Sequence, residues 1–161
     1  MRITTDDLSG PEIPALLAEH LRDMYATSPA ESVYALDLDG LRQPAVTVYA
    51  ARADGELLGI GALKELEPGH GEIKSMRTAQ AHRRKGVAAA LLDHIVGQAR
   101  ARGMTRLSLE TGTDDFFAPA RALYARRGFL PCPPFVGYTD DPNSTFMTLT
   151  LPPLAAARSS A

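Results

Sequence analysis

The sequence predicts an α/β protein in which helices cover both faces of a central mixed β-sheet. Two observations carry this prediction. Strand and helix patterns follow one another in the order β-α-(α)-β-β-β-α-β-α-β-β. The longest helical pattern, which begins at Val87, places apolar residues three or four apart, so it has one face for a sheet and another for solvent.

Composition bounds the class of protein. The 161 residues are 45% hydrophobic and 22% charged, which suits one domain, predicted over residues 1–151. A single cysteine, Cys132, excludes an internal disulfide and fits a reducing cytoplasm. We expect no membrane span, because no apolar run approaches twenty residues. The net charge of −2 argues against general nucleic-acid binding. Residues 152–161 are predicted to form a disordered tail.

The first forty residues begin with a short strand candidate, Arg2 to Thr5, followed by a helix. Ser9 is the expected cap of that helix and Pro11 lies in its first turn. Residues 26–44 are irregular and acidic, and 31–36 fit either a short helix or a loop. The core face of the helix is expected to hold Ile13, Leu16, Leu17, Leu21 and Met24.

Residues 45–65 predict a β-hairpin. Strands at 45–50 and 57–63 flank Asp54-Gly55, a strong turn sequence. Gly59 and Gly61 in the return strand indicate a bulge or a close packing contact. The turn at 68–71 then leads into the next strand.

The stretch from Glu72 to Arg102 predicts a strand, a tight basic turn and a long helix. The turn holds three adjacent cations, and Gly86 follows them immediately before the helix. A helix N-terminus exposes unpaired N–H groups and attracts anions, and glycine lets a ligand approach the backbone. The segment from Arg77 to Arg106 contains seven Lys or Arg residues and only one acidic residue. We interpret the turn as a pyrophosphate cradle; a solvated basic turn is the alternative.

The last third of the chain predicts a strand, a helix and a final hairpin. Gly103 is the expected C-cap of the long helix, and 106–110 alternates as a strand should. Asp114 or Asp115 caps the next helix, expected over 116–127 and stopped by Gly128. The hairpin pairs 129–130 with 145–151 across a proline-rich connection.

Two motifs carry a resemblance to a known family. Arg83-x-x-Gly86-x-Ala88 matches the Arg/Gln-x-x-Gly-x-Gly/Ala signature of the GCN5-related N-acetyltransferases (GNAT), and the chain resembles their bacterial small-molecule type. Residues 120–129 are similar to the second GNAT signature, Ala-x-x-Leu-Tyr-x-x-x-Gly-Phe. The resemblance implies a mixed, mostly antiparallel sheet flanked by helices.

The same resemblance implies acetyl-CoA as co-substrate and no metal. The acetyl group would pass to a primary amine of a small molecule by direct attack in a ternary complex; a homodimer is compatible with this reading. One alternative is a non-catalytic acyl-CoA-binding or regulatory module on the same fold. A second alternative is a nucleic-acid binder that uses the basic turn, which the acid-rich first forty residues oppose.

The residues that the resemblance assigns to acetyl-CoA fall in three places. The backbone around Met76 and Thr78 would hold the pantetheine arm like an added strand. The basic turn would wrap the pyrophosphate, and the second signature would contribute a residue of its helix. The expected cofactor-binding residues are Met76, Arg77, Thr78, Arg83, Arg84, Lys85, Gly86, Val87, Ala88 and Ala120.

The chemistry requires a base and an acid. An alkyl ammonium has a pKa near 10.4, so a base must remove its proton at neutral pH. Glu72 is the first candidate, since histone-type GNAT members carry a glutamate fourteen residues before the signature glycine; an exposed carboxylate paired to Lys74 is the other interpretation. Glu110 is the alternative base, and His70, in a predicted turn, is a third. Tyr124 is the expected proton donor to the thiolate.

One position departs from the family pattern. Phe117 stands where many members carry an asparagine that binds the coenzyme, so Gly112 or Thr113 would have to replace that hydrogen bond. The acceptor site is less defined. Arg77 and the Asn143-Ser144 pair could grip a carboxylate or another polar group, or serve only structure. The segments around 109–112 and 138–147 look similar to a bacterial subgroup labelled indole-acetic-acid acetyltransferase-like.

Overall fold

The computed structural model describes residues 1–153; most of the predicted disordered tail, from residue 154 onward, lies outside the described residues. Within 1–153, seven strands form one sheet in the order β1-β2-β3-β4-β5-β7-β6. The strands are β1 (Arg2–Thr5), β2 (Val46–Ala53), β3 (Glu56–Glu67), β4 (His70–Thr78), β5 (Arg106–Gly112), β6 (Leu130–Pro131) and β7 (Ser144–Thr150).

The sheet is mixed, as the element order predicts, and mostly antiparallel, as the family resemblance implies. Strands β4 and β5 run parallel because the long helix connects them, whereas the other neighbouring pairs in residues 1–153 are antiparallel. The helices are α1 (Glu12–Thr27), α2 (Leu38–Leu41), α3 (Val87–Ala101) and α4 (Ala118–Arg126), with 3-10 turns at Ala30–Ser32, Gln80–His82 and Asp115–Phe117. No helix in this part of the chain has the length and apolar content to cross a membrane.

Two hydrophobic cores lie on opposite faces of the sheet, which confirms helices on both sides. Alternation along the strands separates them: on β3, Ile60 faces one core and Leu63 the other. Helices α3 and α4 cover the face of Leu63 with residues such as Leu92 and Leu123. Helix α1 covers the face of Ile60 with residues such as Leu17.

The start of α1 differs from the prediction. Ser9 does not cap the helix: it lies two residues before the N-cap position, and its hydroxyl donates to Asp7 Oδ1 at 2.6 Å. Pro11 occupies the N-cap position, and no side chain caps the helix. The prediction of a Ser9 cap is wrong because the Ser9 hydroxyl is hydrogen-bonded to a nearby aspartate instead. The helical pattern does not reveal that competing partner.

The β2–β3 hairpin has the predicted turn. Asp54 and Gly55 both adopt positive φ (52° and 80°), the backbone that two-residue hairpins favour. Gly61 meets the predicted packing constraint, because a Cβ there would lie 2.6 Å from Met76 Sδ and 2.8 Å from Ile95 Cδ1. Gly59 is equally close to the neighbouring strand, with the carbonyl oxygen of Arg77 at 2.8 Å from a Cβ position.

Strand β4 is irregular at its centre. The residues opposite Ile60 and Ala62 on β4 are Arg77 and Lys74, so one extra residue is inserted there. Ser75 lies at this bulge with φ of 57°. Pairing between β4 and β5 ends at Ile73 opposite Leu109, although both strands continue. The two parallel strands therefore separate in the middle of the sheet.

Helix α3 begins and ends where its glycines predict. Gly86 is the N-cap residue with φ of 83°, and Arg84 just before it has φ of 65°. Gly103 follows the last turn with φ of 82°, the left-handed conformation that ends many helices. No side chain caps the N-terminus of α3, so its first amides remain open to another partner.

Candidate active site

A cavity of about 170 Å³ opens where β4 and β5 separate. Its walls come from five parts of the chain: residues 72–77 of β4, the end of β5, helix α1, the segment 28–35, and helix α4 with the 3-10 turn before it. The lining residues are His20, Met24, Ser28, Ser32, Tyr34, Ala35, Glu72, Ile73, Lys74, Ser75, Met76, Arg77, Glu110, Thr111, Gly112, Phe116, Phe117, Ala120 and Tyr124.

Glu72, Glu110 and Tyr124 border this one cavity, although 52 positions separate the first from the last. His70 does not border it. It is the first residue of β4 and is buried, with Nε2 2.7 Å from the Ser108 hydroxyl. The turn predicted at 68–71 ends at Gly69, so His70 lies in the strand and its ring has a structural partner.

Glu72 is buried and accepts two hydrogen bonds, which contradicts its interpretation as an exposed carboxylate. The Tyr138 hydroxyl donates to Glu72 Oε2 at 2.5 Å, and Lys74 Nζ donates to the same oxygen at 3.1 Å. Lys74 also donates to the Tyr138 oxygen at 2.9 Å. Burial and the neighbouring Glu72 charge raise the pKa of Tyr138, so the phenol stays protonated. The pairing with Lys74, the other half of that interpretation, is present.

Glu110 has a different environment. Burial is the main cause that raises the pKa of its carboxyl to about 7. The hydrogen bond from Ser144 and the charge of Lys74 act in the opposite direction and lower this pKa. The Ser144 hydroxyl donates to Glu110 Oε2 at 2.7 Å. A carboxyl with this pKa is part protonated and part ionised near neutral pH, which is the condition of a general base.

Tyr124 lies on α4 and is buried beside Phe129, with ring centroids 5.8 Å apart. Burial raises the pKa of its phenol, so the hydroxyl keeps its proton at neutral pH. Ala120, one turn earlier on the same helix, also borders the cavity.

Phe117 fills the position where the family pattern expects an asparagine. Its ring is buried against Gly112, whose Cα carries no side chain to obstruct it. The groups expected to replace the asparagine already have partners. Arg121 Nη1 donates to the Gly112 carbonyl at 2.7 Å, and the Thr113 hydroxyl donates to the Pro142 carbonyl at 3.3 Å.

The strand segment 74–78 has no partner on the side of β5. The expected pantetheine residues Met76 and Thr78 belong to this segment, and their backbone groups on that side can pair with a ligand. The Arg77 side chain turns toward α1, where Nη2 lies 2.6 Å from Asp23 Oδ2 and 3.4 Å from Glu19 Oε1.

The basic turn before α3 exposes its three cations, Arg83, Arg84 and Lys85. Arg83 Nη2 lies 3.8 Å from Asp23, and Lys85 Nζ is 3.3 Å from His82 Nδ1. A Cβ on Gly86 would meet no heavy atom within 4 Å. Val87 contributes its side chain to the core, so only its backbone can face a ligand, while Ala88 is half-buried.

The sequence patterns assign no role to His20, Tyr34 or Tyr138, and they predict Lys74 only as a partner of Glu72. His20 lies on the apolar stripe of α1, four positions after Leu16. A polar residue within an apolar stripe indicates a buried polar group, so the sequence pattern could have marked it. Lys74 shares a strand face with Glu72, which alternation predicts. Tyr34 and Tyr138 come from irregular segments, and no local pattern marks them. Their rings pack edge to face, with centroids 5.2 Å apart.

The chain matches the profile of the acetyltransferase (GNAT) family over residues 13–129. It is 53% identical over 151 residues to YsnE of Bacillus subtilis (strain 168), an uncharacterized N-acetyltransferase, covering 94% of this chain and 100% of the relative. It is 39% identical over 132 residues to the IAA acetyltransferase of Azospirillum brasilense, covering 81% and 83% of the two chains.

Solved structures share the fold. A Klebsiella pneumoniae protein assigned to the acyl-CoA N-acyltransferases is 32% identical, with a TM-score of 0.76 over 93% of this chain and 97% of that one. A GNAT family acetyltransferase from Elizabethkingia anophelis, solved with acetyl-CoA bound, has a TM-score of 0.68 over 93% and 97% of the chains. It is 17% identical, so this likeness shows the fold alone.

The raised pKa of Glu110 predicts a pH-dependent cost to stability. The folded pKa of about 7 exceeds the unfolded value near 4.3, so the folded state binds more protons between these pH values. The free energy of unfolding therefore falls as pH rises through this window. Glu110→Gln removes the carboxylate, so at pH 8 it should increase the free energy of unfolding by roughly 1 to 3 kcal/mol and raise Tm accordingly. At pH 4 the substitution should have little effect.

Thermal unfolding of both proteins from pH 4 to 8 measures this difference. Glu65→Gln, on an exposed residue of β3, is the matched control and should show no pH-dependent gain. A Glu110→Gln protein that is less stable than the native chain at pH 8 would contradict the burial cost.

Proposed function

Because the chain belongs to the GNAT family of acetyltransferases, we propose that it moves the acetyl group of acetyl-CoA to a primary amine of a small molecule. The amine attacks directly, within a ternary complex. Residues 1–151 act as one acetyltransferase domain, and the cytoplasm is its compartment, to which the single Cys132 is suited. The N-acetyltransferase activity itself follows from family membership; the acceptor and the mechanism are the proposal.

One observation carries the proposal: the cavity between β4 and β5 is bordered by two carboxyl groups and a protonated phenol. It also adjoins the unpaired edge of β4. Direct transfer needs a base, an acid and a place for the thioester within reach of one another. Glu110, Glu72 and Tyr124 supply the ionisable groups.

The chain offers a fitting site for acetyl-CoA. The open space beside Gly86, the uncapped N-terminus of α3 and three exposed cations suit a pyrophosphate. The free backbone of 74–78 suits a pantetheine arm. When bound, acetyl-CoA supplies a thioester carbonyl for attack and a thiolate that leaves.

Glu110 is the better-supported general base. Its carboxyl pKa of about 7 lies near the operating pH, so it can accept the proton of the acceptor ammonium. Glu72 remains a candidate, but its Oε2 already accepts from both Lys74 and Tyr138. We assign to Glu72 the role of holding these two side chains in the cavity wall.

Tyr124 is the proposed acid. Its buried phenol remains protonated and faces the cavity into which α4 projects, so it can give its proton to the departing sulfur. A backbone N–H of the segment 74–78 is the proposed donor to the carbonyl oxygen, because such amides have no strand partner to satisfy. The bulge at Ser75 turns this segment away from regular pairing.

Acetyl-CoA should raise the Tm of the native protein, because a ligand that binds only the folded state stabilises it. Gly86→Leu should abolish that increase by filling the space beside the helix N-terminus. Gly103→Leu is the matched control: Gly103 has φ of 82° against 83° for Gly86 and is equally free of neighbours, so the backbone strain is the same. Thermal shift with and without acetyl-CoA measures both. A Gly86→Leu protein with the full response would place the pyrophosphate elsewhere.

The general base should appear in the pH dependence of kcat/KM. For the native enzyme we expect a rise through about pH 7, as the Glu110 carboxyl ionises. Glu110→Gln should lose this rise and be roughly 10²-fold or more slower at neutral pH, recovering toward pH 10 as the amine deprotonates unaided. Glu72→Gln should keep the rise at a reduced level. The opposite pattern, with the rise lost only in Glu72→Gln, would make Glu72 the base.

Tyr124→Phe tests the acid. The ring and its contact with Phe129 remain, so folding and the acetyl-CoA thermal shift should be close to native. We expect kcat to fall by roughly 10²- to 10⁴-fold with little change in KM for acetyl-CoA, as when a transition-state interaction alone is lost. Thiol release with a panel of amines measures turnover. Native turnover in Tyr124→Phe would assign thiolate protonation to water.

A further inference from the structure

Buried polar atoms without hydrogen-bond partners concentrate on one part of the cavity wall. Among the described residues, five buried side-chain atoms lack a partner, and four of them belong to three lining residues, His20, Ser75 and Arg77. The fifth is Arg100 Nε, outside the cavity. Buried polar groups normally have partners, because an unpaired one costs free energy, so this cluster requires an explanation.

Arg77 is the strongest member of the cluster. Its side chain is 6% exposed, and Nη2 lies 2.6 Å from Asp23 Oδ2. That contact is an ion pair whose angles do not make a hydrogen bond, and Nε has no partner at all. Asp23 and Glu19, on α1, are partly exposed, with side chains 36% and 26% accessible. They hold the guanidinium through Nη2 and leave Nε without a partner.

His20, on helix α1, and Ser75, on strand β4, complete the cluster. His20 projects from α1, and burial followed by the charge of Arg77 lowers the pKa of its imidazole to about 4, so the ring is neutral. Its Nδ1 is unpaired. Ser75 lies at the β4 bulge with its hydroxyl buried and unpaired. Arg77 can only donate hydrogen bonds, and the serine hydroxyl can donate as well.

A set of donors around a fixed guanidinium is complementary to a carboxylate. We propose that Arg77, with Ser75 and His20, forms a carboxylate-binding subsite, and that the acceptor is an amino acid, which carries a primary amine and a carboxylate together. This inference rests on the proposed function and specifies its substrate class.

The charges of the cavity fit a substrate with two charged ends. Glu110 receives the ammonium end, as proposed above, and Arg77 receives the carboxylate. Asp23 and Glu19 offset the charges of Arg77 and Arg83. What the subsite offers a carboxylate is therefore a set of hydrogen-bond donors without partners, Arg77 Nε and the Ser75 hydroxyl.

The experiment compares acceptors that differ only in the carboxylate. The probes are L-leucine and L-leucinamide, L-phenylalanine and L-phenylalaninamide, and 4-aminobutanoate and 4-aminobutanamide, assayed by thiol release from acetyl-CoA. The native enzyme should prefer the carboxylate in at least one pair. Arg77→Gln should reduce that preference by roughly 10- to 100-fold, the range expected when a hydrogen bond to a charged group is lost. The ratio of preferences cancels the different basicities of the two amines.

Two further variants keep the test decisive. Ser75→Ala changes no charge and breaks no hydrogen bond of the folded protein, so it serves if Arg77→Gln does not fold. It should reduce the same preference by about 3- to 10-fold. Arg52→Gln breaks an arginine–aspartate ion pair of 3.0 Å to Asp6 outside the cavity and should leave the preference unchanged.

The outcomes separate the two proposals. If Arg77→Gln lowers kcat/KM equally for the acid and the amide, Arg77 only braces α1 and the subsite is overturned, while the acetyltransferase proposal stands. The same holds if the native enzyme acetylates amines without regard to a carboxylate. If no primary amine in a wider panel releases thiol, the proposed function fails and the subsite falls with it.

Discussion

The separation of β4 from β5 is the constraint on which the rest of the structure depends. A parallel pair in the middle of a sheet would normally remain bonded along its length, because both strands are flanked by cores. Here pairing stops at Ile73 and Leu109, and the bulge at Ser75 shifts the register against β3. The gap gives the molecule a cavity in its centre and leaves backbone groups free without exposing them at an outer edge.

The electrostatics of that cavity depend on how two similar carboxyl groups are surrounded. Glu72 has a cation and a phenol as direct partners, so its charge is compensated where it is buried. Glu110 has a serine hydroxyl as its direct partner and a lysine charge at longer range, and burial therefore raises its carboxyl pKa. Neighbouring strands thus hold one acid that is structurally engaged and one that can exchange a proton near neutral pH.

Helix α1 couples the two functional regions. Asp23 contacts Arg77 in the cavity wall and Arg83 in the basic turn, so the placement of this helix affects both ends of the site. The segment that follows α1 is bonded to the loop before β7 through Tyr34 and Asp141, at 2.6 Å. This end of the cavity, where we propose that the acceptor binds, is therefore built from segments distant in sequence, which is why its polar residues escape local patterns.

The sequence by itself determined the elements whose signals are local. Gly86 and Gly103 mark the ends of α3 because left-handed backbone favours glycine, and Asp54-Gly55 marks the hairpin because its turn needs two positive φ angles. Apolar periodicity determined the two-sided packing, and the two motifs indicated the family. Only the tertiary structure decided that Glu72 is buried against Lys74 and Tyr138, that Glu110 titrates near neutrality, and that His20 and Arg77 share a wall. Burial and charge depend on neighbours brought together from distant positions, and a pattern along one chain does not contain those distances.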